Sequence, residues 1–221
     1  MKVMVVSPHM DDETLGMGGT IAKHVSCGDE VSVVIVAHRV YDHKFDASIN
    51  EKELQATKQA KEVLGYQHLT FLNLHDERLD NCIQDILIPL EKVYVKFNPD
   101  FLYTCHYGDN NQDHRAVFEA VRILGRASSS VSVSKFLCYE VLSSTEASPP
   151  AIQNAFMPNY FVNIDDFIEK KISAFKCYEK EQRSFPHPRS YEGVKILAQK
   201  RGMDVGFNFA EAFVILRDEW R

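Results

Sequence analysis

The chain has no apolar run approaching the roughly 20 residues that a bilayer-spanning helix needs; its longest hydrophobic stretches are strand-sized and interrupted. Cysteine is sparse and ill-spaced for a framework: Cys27, Cys82, Cys105, Cys138 and Cys177 are odd in number, scattered, and include no Cys-x-x-Cys pair. That excludes a disulfide scaffold and a structural zinc knuckle, and leaves reduced, mostly buried thiols as the expectation. A long basic run is also missing, and Lys and Arg (25) are outnumbered by Asp and Glu (31), for a net charge of -6. Nothing electrostatic therefore calls for a nucleic-acid partner, although an acidic chain can still build a locally positive pocket for small anions. No secretory signal follows Met1-Lys2, so a cytoplasmic protein is expected. What remains is ordinary globular composition, 45% apolar and 25% charged over 221 residues, enough for one hydrophobic core and one domain over 1–221.

Strand-like and helix-like segments alternate through the first half. The buried runs Val3–Val6, Val31–Ala37, Leu69–Leu74 and Phe101–Thr104 are separated by helical patterns over Thr14–Val25, Ile49–Leu64 and Ile83–Lys96, and Arg115–Leu124 continues the series. This is the pattern of βα units, and it predicts an α/β fold: a Rossmann-like three-layer domain with a mainly parallel sheet and helices on both faces. Right-handed crossovers would gather residues 8–14, 38–46, 75–80 and 105–114 on one edge of that sheet. The second half is less regular. A strand over Phe136–Val141, a Ser/Pro-rich loop over Ser143–Pro158, a short strand Phe161–Ile164, a helix over Asp165–Glu181, a turn at Pro186-His187-Pro188, a helix near Tyr191–Lys200 and a closing strand Ala212–Leu216 are expected.

Chemistry concentrates where two of the buried runs end. Behind the first stands Pro8-His9-Met10-Asp11-Asp12-Glu13, and behind the fourth stands Asp113-His114. Ligands of open α/β sheets collect at the carboxyl ends of strands. Catalytic zinc commonly takes three protein ligands from His and carboxylate and keeps a fourth position open, a count that His9, Asp12 and His114 satisfy. Adjacent carboxylates point in different directions, so one of Asp11 and Asp12 can ligate while the other accepts a proton from the attacking water. A plainer reading stays open beside this one: Asp11 and Asp12 as caps of the helix that follows, with His9 as a hydrogen-bonded turn residue.

These residues carry a resemblance. Pro8-His9-Met10-Asp11-Asp12-Glu13 with Thr14-Leu15-Gly16-Met17-Gly18-Gly19-Thr20 resembles the first signature of the PIG-L/LmbE-like zinc-dependent N-deacetylases, and Asn111-Gln112-Asp113-His114-Arg115 resembles their second. Pro188-Arg189-Ser190 and the stretch from Arg201-Gly202 to Ala210-Glu211-Ala212-Phe213 resemble the carboxyl-terminal part of bacterial members, so the likeness covers nearly the whole chain. It implies His9, Asp12 and His114 as zinc ligands and Asp11 as the base, in hydrolysis of the N-acetyl group of an amino sugar or sugar conjugate. Ferrous iron accepts the same ligand set. The chain departs from the pattern at Asn111, where many members have a His thought to help at the oxyanion; Asn can donate a hydrogen bond but cannot act as an acid, and His106, Tyr107 and His187 are the candidates to substitute.

Rival readings are a metal-dependent phosphoesterase and a non-catalytic sugar-binding protein. Substrate contacts are expected from Arg78, Arg189, Asn111 and His106. For Arg189 the alternatives are a bidentate grip on phosphate or carboxylate and an internal pair with Glu211. Gly16, Gly18 and Gly19 lack the dinucleotide spacing and are read as close helix packing. Cys105 is read as a small buried hydrophobe, and His24, His38, His43 and His68 as surface or core residues. The expected partner is a small N-acetylated sugar, with no nucleic acid and no membrane span; a homo-oligomer is left open.

Overall fold

The computed structural model describes residues 1–38, 47–127 and 131–220. Most of the edge loop expected over 38–46, His43 included, lies outside the described residues. Seven strands form one sheet: β1 (Lys2–Ser7), β2 (Glu30–His38), β3 (His68–His75), β4 (Phe101–Cys105), β5 (Lys135–Tyr139), β6 (Tyr160–Asn163) and β7 (Ala210–Asp218), in the order β3-β2-β1-β4-β5-β7-β6. β1 pairs in parallel with β2 on one side (Val3 opposite Val31) and with β4 on the other (Val3 opposite Phe101). β7 runs against both of its neighbours, β5 and β6, so among the described strands it alone opposes the common direction.

Among the described residues six α-helices cover the sheet: α1 (Asp12–Ser26), α2 (Ala47–Leu64), α3 (Ile83–Phe97), α4 (Gln112–Leu124), α5 (Ile168–Lys176) and α6 (Tyr191–Met203). α5 packs against α1, α2 and α6, while α3 packs against α4. The chain order explains this division. From β1 it winds outward through β2 to β3, then returns to the far side of β1 for β4 and winds the other way, so right-handed crossovers put the two helix groups on opposite faces. The expected three-layer architecture is what forms. Covered on both faces, Val3, Met4, Val5 and Val6 have almost no exposure, which is why β1 reads as an unbroken apolar run. The glycines of α1 are used for close approach: a Cβ at Gly16 would stand 2.3 Å from the Tyr139 ring.

The reversal of winding between β1 and β4 leaves a crevice at their carboxyl ends. The two motifs emerge from those two ends, and α1 and α4 begin there.

Two elements differ from expectation in ways that matter below. α4 starts at Gln112 rather than Arg115, so Asp113 and His114 sit in its first turn. The helix expected over Asp165–Glu181 is shorter: α5 ends at Lys176 and a separate turn of 3-10 helix covers Glu179–Glu181. Leaving the helix there lets Tyr178 and Glu181 turn inward, where Tyr178 donates to Glu13 (2.7 Å) and Glu181 accepts from Arg189 (2.7 Å).

Candidate active site

His9, Asp12 and His114 converge. One oxygen of Asp12, Oδ2, lies 3.2 Å from His9 Nδ1 and 3.1 Å from His114 Nε2, and it also accepts the His9 backbone N–H at 3.0 Å. The two imidazole centroids are 5.3 Å apart, and the three side chains offer donor atoms all within 4.8 Å of one another. The set fits a divalent cation on its chemistry, two imidazole nitrogens and a carboxylate. It also fits on an unsatisfied atom, since Asp12 Oδ1 is buried without a hydrogen-bond partner and is an acceptor that a cation would complete.

Behind each imidazole stands more carboxylate. His9 Nε2 faces Asp76 Oδ1 at 3.0 Å and Asp113 Oδ2 at 3.1 Å. Asp113 is itself fixed by the backbone N–H groups of Glu77 (2.7 Å) and Leu79 (3.1 Å). His9, Asp76 and Asp113 likewise bring ligand atoms within 4.8 Å of one another. With its oxygens already taken by two amides, however, Asp113 is built to orient His9. His114 Nδ1 stands 3.3 Å from Asp109 Oδ2, whose carboxylate accepts the hydroxyls of Ser144 and Thr145 and the Asn111 N–H. A carboxylate on the far nitrogen of a ligating histidine fixes its ring and raises its basicity.

The charges follow from this packing. Burial opposes a proton on either imidazole, but the facing carboxylates outweigh it: His9 is raised well above its ordinary value, and His114 is pushed up to about 9. Burial likewise opposes ionisation of Asp12, yet His114 and His9 hold its carboxyl well below the usual range. Asp109 is lowered against its own burial by His114, Ser144 and Thr145.

Asp11, next to Asp12 in sequence, is held by a different partner. It occupies the N-cap position of α1 at φ 116°, a left-handed conformation that a side chain rarely adopts. Its side chain makes no capping hydrogen bond, and Oδ2 instead accepts from Arg189 Nη1 at 3.0 Å. Capping therefore does not account for Asp11. Its strained backbone is held by Glu13, whose Oε2 accepts the Asp11 N–H at 3.2 Å while Oε1 accepts from Thr14 (2.8 Å) and Tyr178 (2.7 Å).

The remaining expected residues divide. Arg189 reaches the site, but onto carboxylates of the protein: Asp11 and Glu181, not Glu211, which pairs with buried Lys171 at 2.6 Å. Asn111 caps α4, its Oδ1 accepting the Asp113 N–H at 2.8 Å. His106 is buried against Tyr107 and Phe156, and its Nε2 lies 3.1 Å from the Asn154 carbonyl. A carbonyl only accepts, so Nε2 carries the hydrogen; burial lowers the pKa of this ring, leaving Nδ1 as an acceptor. His187 is exposed, and its Nδ1 accepts the Arg189 N–H. Arg78 is exposed between Glu77 and Leu79, the two residues whose amides hold Asp113. Cys105 is buried as expected, donating to the His114 carbonyl, and His24 and His68 pair with Asp29 and Glu30.

Residue type and spacing alone do not mark Asp76, Asp109, Glu181 or Tyr178 as site residues. Of these, Asp76 carries a signal in its position, directly after the strand-like run Leu69–Leu74 and His75.

Comparison with known proteins identifies the relatives of this chain. Residues 4–124 match the family described as PIG-L: GlcNAc-PI de-N-acetylase. The chain is 25% identical over 183 residues to the uncharacterized deacetylase YaiS of Escherichia coli (strain K12), covering 80% of this chain and 90% of that one. It is 26% identical over 200 residues to the diacetylchitobiose deacetylase of Thermococcus kodakarensis, covering 81% and 70%. Among solved structures, the N,N'-diacetylchitobiose deacetylase from Pyrococcus horikoshii superposes with a TM-score of 0.76 at 22% identity, covering 97% of this chain and 83% of that one. The 4-carboxy-2-hydroxymuconate hydratase from Pseudomonas putida KT2440 superposes with a TM-score of 0.75 at 20% identity, covering 100% and 98%, so the fold by itself does not fix a reaction. With the family match running from β1 to the end of α4, through both motifs, the chain belongs to the PIG-L (GlcNAc-PI de-N-acetylase) family.

Proposed function

We propose that the chain, acting as one domain over 1–221, is a zinc-dependent cytoplasmic hydrolase that removes the N-acetyl group of a GlcNAc-type amino sugar or sugar conjugate, releasing acetate and a free amine. The observation that carries this reading is the division of labour between adjacent carboxylates: Asp12 meets both histidines, while Asp11 is turned to Arg189. His9, Asp12 and His114 are the residues that would hold the cation. Bound there, it supplies Lewis-acid polarisation of the amide carbonyl and acidifies a water.

The protein's own residues do the rest. Asp11 would accept the proton of the attacking water and return it to the departing amine nitrogen, because one carboxylate can serve first as base and then as acid. Asp113, Asp76 and Asp109 hold the two imidazoles in the orientation that keeps one nitrogen of each directed at Asp12. Arg78, Asn111 and His106 line or adjoin the loops from which a sugar would be approached, with Arg78 the one side chain of the three that is exposed.

The test is release of acetate and primary amine from a panel of N-acetylated mono- and disaccharides and anionic sugar conjugates. It is run on purified protein, on chelator-treated protein, and after adding back Zn²⁺ or Fe²⁺. Activity lost on chelation and restored by one of these ions is expected. Phosphate release from sugar phosphates in place of acetate release, or saturable sugar binding without any turnover, would replace this reading with a phosphoesterase or a binding protein.

A further inference from the structure

The turn Pro186-His187-Pro188-Arg189-Ser190 is more tightly built than a surface loop needs to be. Ser190 caps α6 by accepting the Gly193 N–H at 2.9 Å. Gly193 lies so close beneath the turn that a Cβ there would stand 2.3 Å from the Pro188 carbonyl oxygen. The Arg189 N–H donates to His187 Nδ1 (3.0 Å), and its carbonyl accepts from the Arg183 N–H (3.1 Å). The backbone of Arg189 is thus fixed on both sides before its side chain makes any contact.

The side chain is fixed as well. Nε donates to Ser143 Oγ at 2.7 Å and lies 3.4 Å from the Leu142 carbonyl, while Nη1 bridges Glu181 Oε2 at 2.7 Å and Asp11 Oδ2 at 3.0 Å. Two buried carboxylates on one guanidinium nitrogen leave little net positive charge for a substrate anion. They make a rigid bracket. The same segment reaches Asp11 a second time, because Tyr178, just before Glu181, holds the Glu13 carboxylate that accepts the Asp11 N–H.

We infer that Arg189, seated on Glu181 and Ser143, is a positioning residue that holds the Asp11 carboxylate in place, rather than a clamp for an anionic substrate. This rests on the proposal that Asp11 is the base. A carboxylate that moves by about 1 Å from a productive geometry loses on the order of a hundredfold in rate. Binding of sugar and cation does not pass through Arg189, so its removal should act on turnover alone.

The experiment compares Arg189→Ala, Arg189→Lys, Asp11→Asn and the double variant Arg189→Ala/Asp11→Asn. Arg189→Ala should lower kcat by about ten- to a hundredfold, leave KM within about threefold for neutral and anionic substrates alike, and leave metal content unchanged. Added guanidinium chloride at millimolar concentration should restore part of the kcat of Arg189→Ala and none of that of Asp11→Asn. The double variant should be no slower than Asp11→Asn alone. A second readout needs no activity: in the chelated protein the Tm shifts of Arg189→Ala and Asp11→Asn should fail to add in the double variant, as for two partners of one contact. If Arg189→Ala destabilises the fold too far to assay, Arg189→Lys, which keeps the charge without the fork, carries the same kcat and KM comparison.

A rise in KM confined to anionic substrates, or kcat losses that multiply in the double variant, would overturn the inference. Wild-type protein that releases no acetate from any substrate under any metal would instead remove the reading on which it rests, while the Tm cycle would still report whether the bracket exists.

Discussion

The loops after β1 and β3 place their site residues within a few positions of a strand end, and the longer loop after β4 leads through Asp109 into the first turn of α4, whereas residues 142–145 and 178–189 reach the same crevice from an irregular region of short 3-10 turns. The first group supplies His9, Asp12, His114 and the carboxylates Asp76, Asp109 and Asp113. The second supplies Ser144 and Thr145 beneath Asp109, Glu181 and Arg189 beside Asp11, and Tyr178 on Glu13. One region offers atoms to a cation, and the other holds carboxylates still. The difference teaches that a motif at a sheet edge is only half of a site. Its side chains are aimed by contacts that come from distant parts of the chain.

The largest expected effect tests the first region. Replacing His9, Asp12 or His114 by Ala should reduce bound metal to trace levels and abolish hydrolysis together, because each removes one of three protein ligands. Folding should survive, as these residues lie on the crevice rather than in the apolar core. Elemental analysis and acetate release on the same samples check this. Glu181→Gln in the second region should keep its metal, and full metal loss there would erase the contrast between the regions.

A smaller effect is expected one step back from the ligands. Asp113→Asn and Asp109→Asn leave the ligand set intact but take the charge from behind His9 and His114, and outer-shell losses of this kind typically weaken metal affinity by about 10–100-fold. Competition with a calibrated chelator measures it. Affinity unchanged in both variants would mean that the carboxylates serve only to tie the 76–79 loop and residues 144–145 to the site.

How much of this is legible in the sequence follows from what each residue needs. His9 and Asp12 are readable because they closely follow an apolar run that reads as a buried strand, and His114 because the Asp113-His114 pair lies in the loop-and-helix start behind a second such run; the α/β alternation then dictates that those strand ends meet. Asp109 and Glu181 are not. Each looks like an ordinary acidic residue of a polar loop or helix end until the chain has folded, and only tertiary packing brings them to His114 and Arg189. Extending the helix over Asp165–Glu181 is a local-propensity reading, overridden because Tyr178 and Glu181 are stabilised more by buried partners than by another helical turn. Arg189 is legible as a functional arginine, but not its partners.

Proton occupancy gives a third contrast, between the chelated and the loaded protein. His9 and His114 are both raised, the latter to about 9, against an ordinary value of about 6.5. A raised imidazole stabilises the folded chelated protein fully below about pH 6.5, and that contribution is lost as pH climbs through the folded value near 9. A cation must displace the same protons, so its binding strengthens over the same interval. The gap in Tm between loaded and chelated protein should therefore widen from about pH 6.5 to 9, measured by calorimetry in matched buffers. A gap that narrows with rising pH would mean that the cation does not compete with these imidazole protons.

The smallest effect belongs to Arg78, an exposed residue of the first region. Its neighbours Glu77 and Leu79 donate their amides to Asp113, so the backbone is pinned and a substitution at 78 acts through the side chain. An exposed guanidinium facing an anionic group contributes about 0–1 kcal/mol, which limits the change to roughly fivefold in binding. Arg78→Ala should raise KM by that factor or less for a phosphorylated or carboxylated sugar conjugate, with kcat and the KM of a neutral N-acetyl monosaccharide unchanged. Arg78→Lys should recover most of the loss if charge alone is used, and little of it if the planar fork is engaged. Equal shifts for both substrates would return Arg78 to a structural role in the 76–79 loop, and no shift for either would remove it from the substrate path. The contrast with Arg189 is then complete: one arginine read through KM for anions, the other through kcat for every substrate.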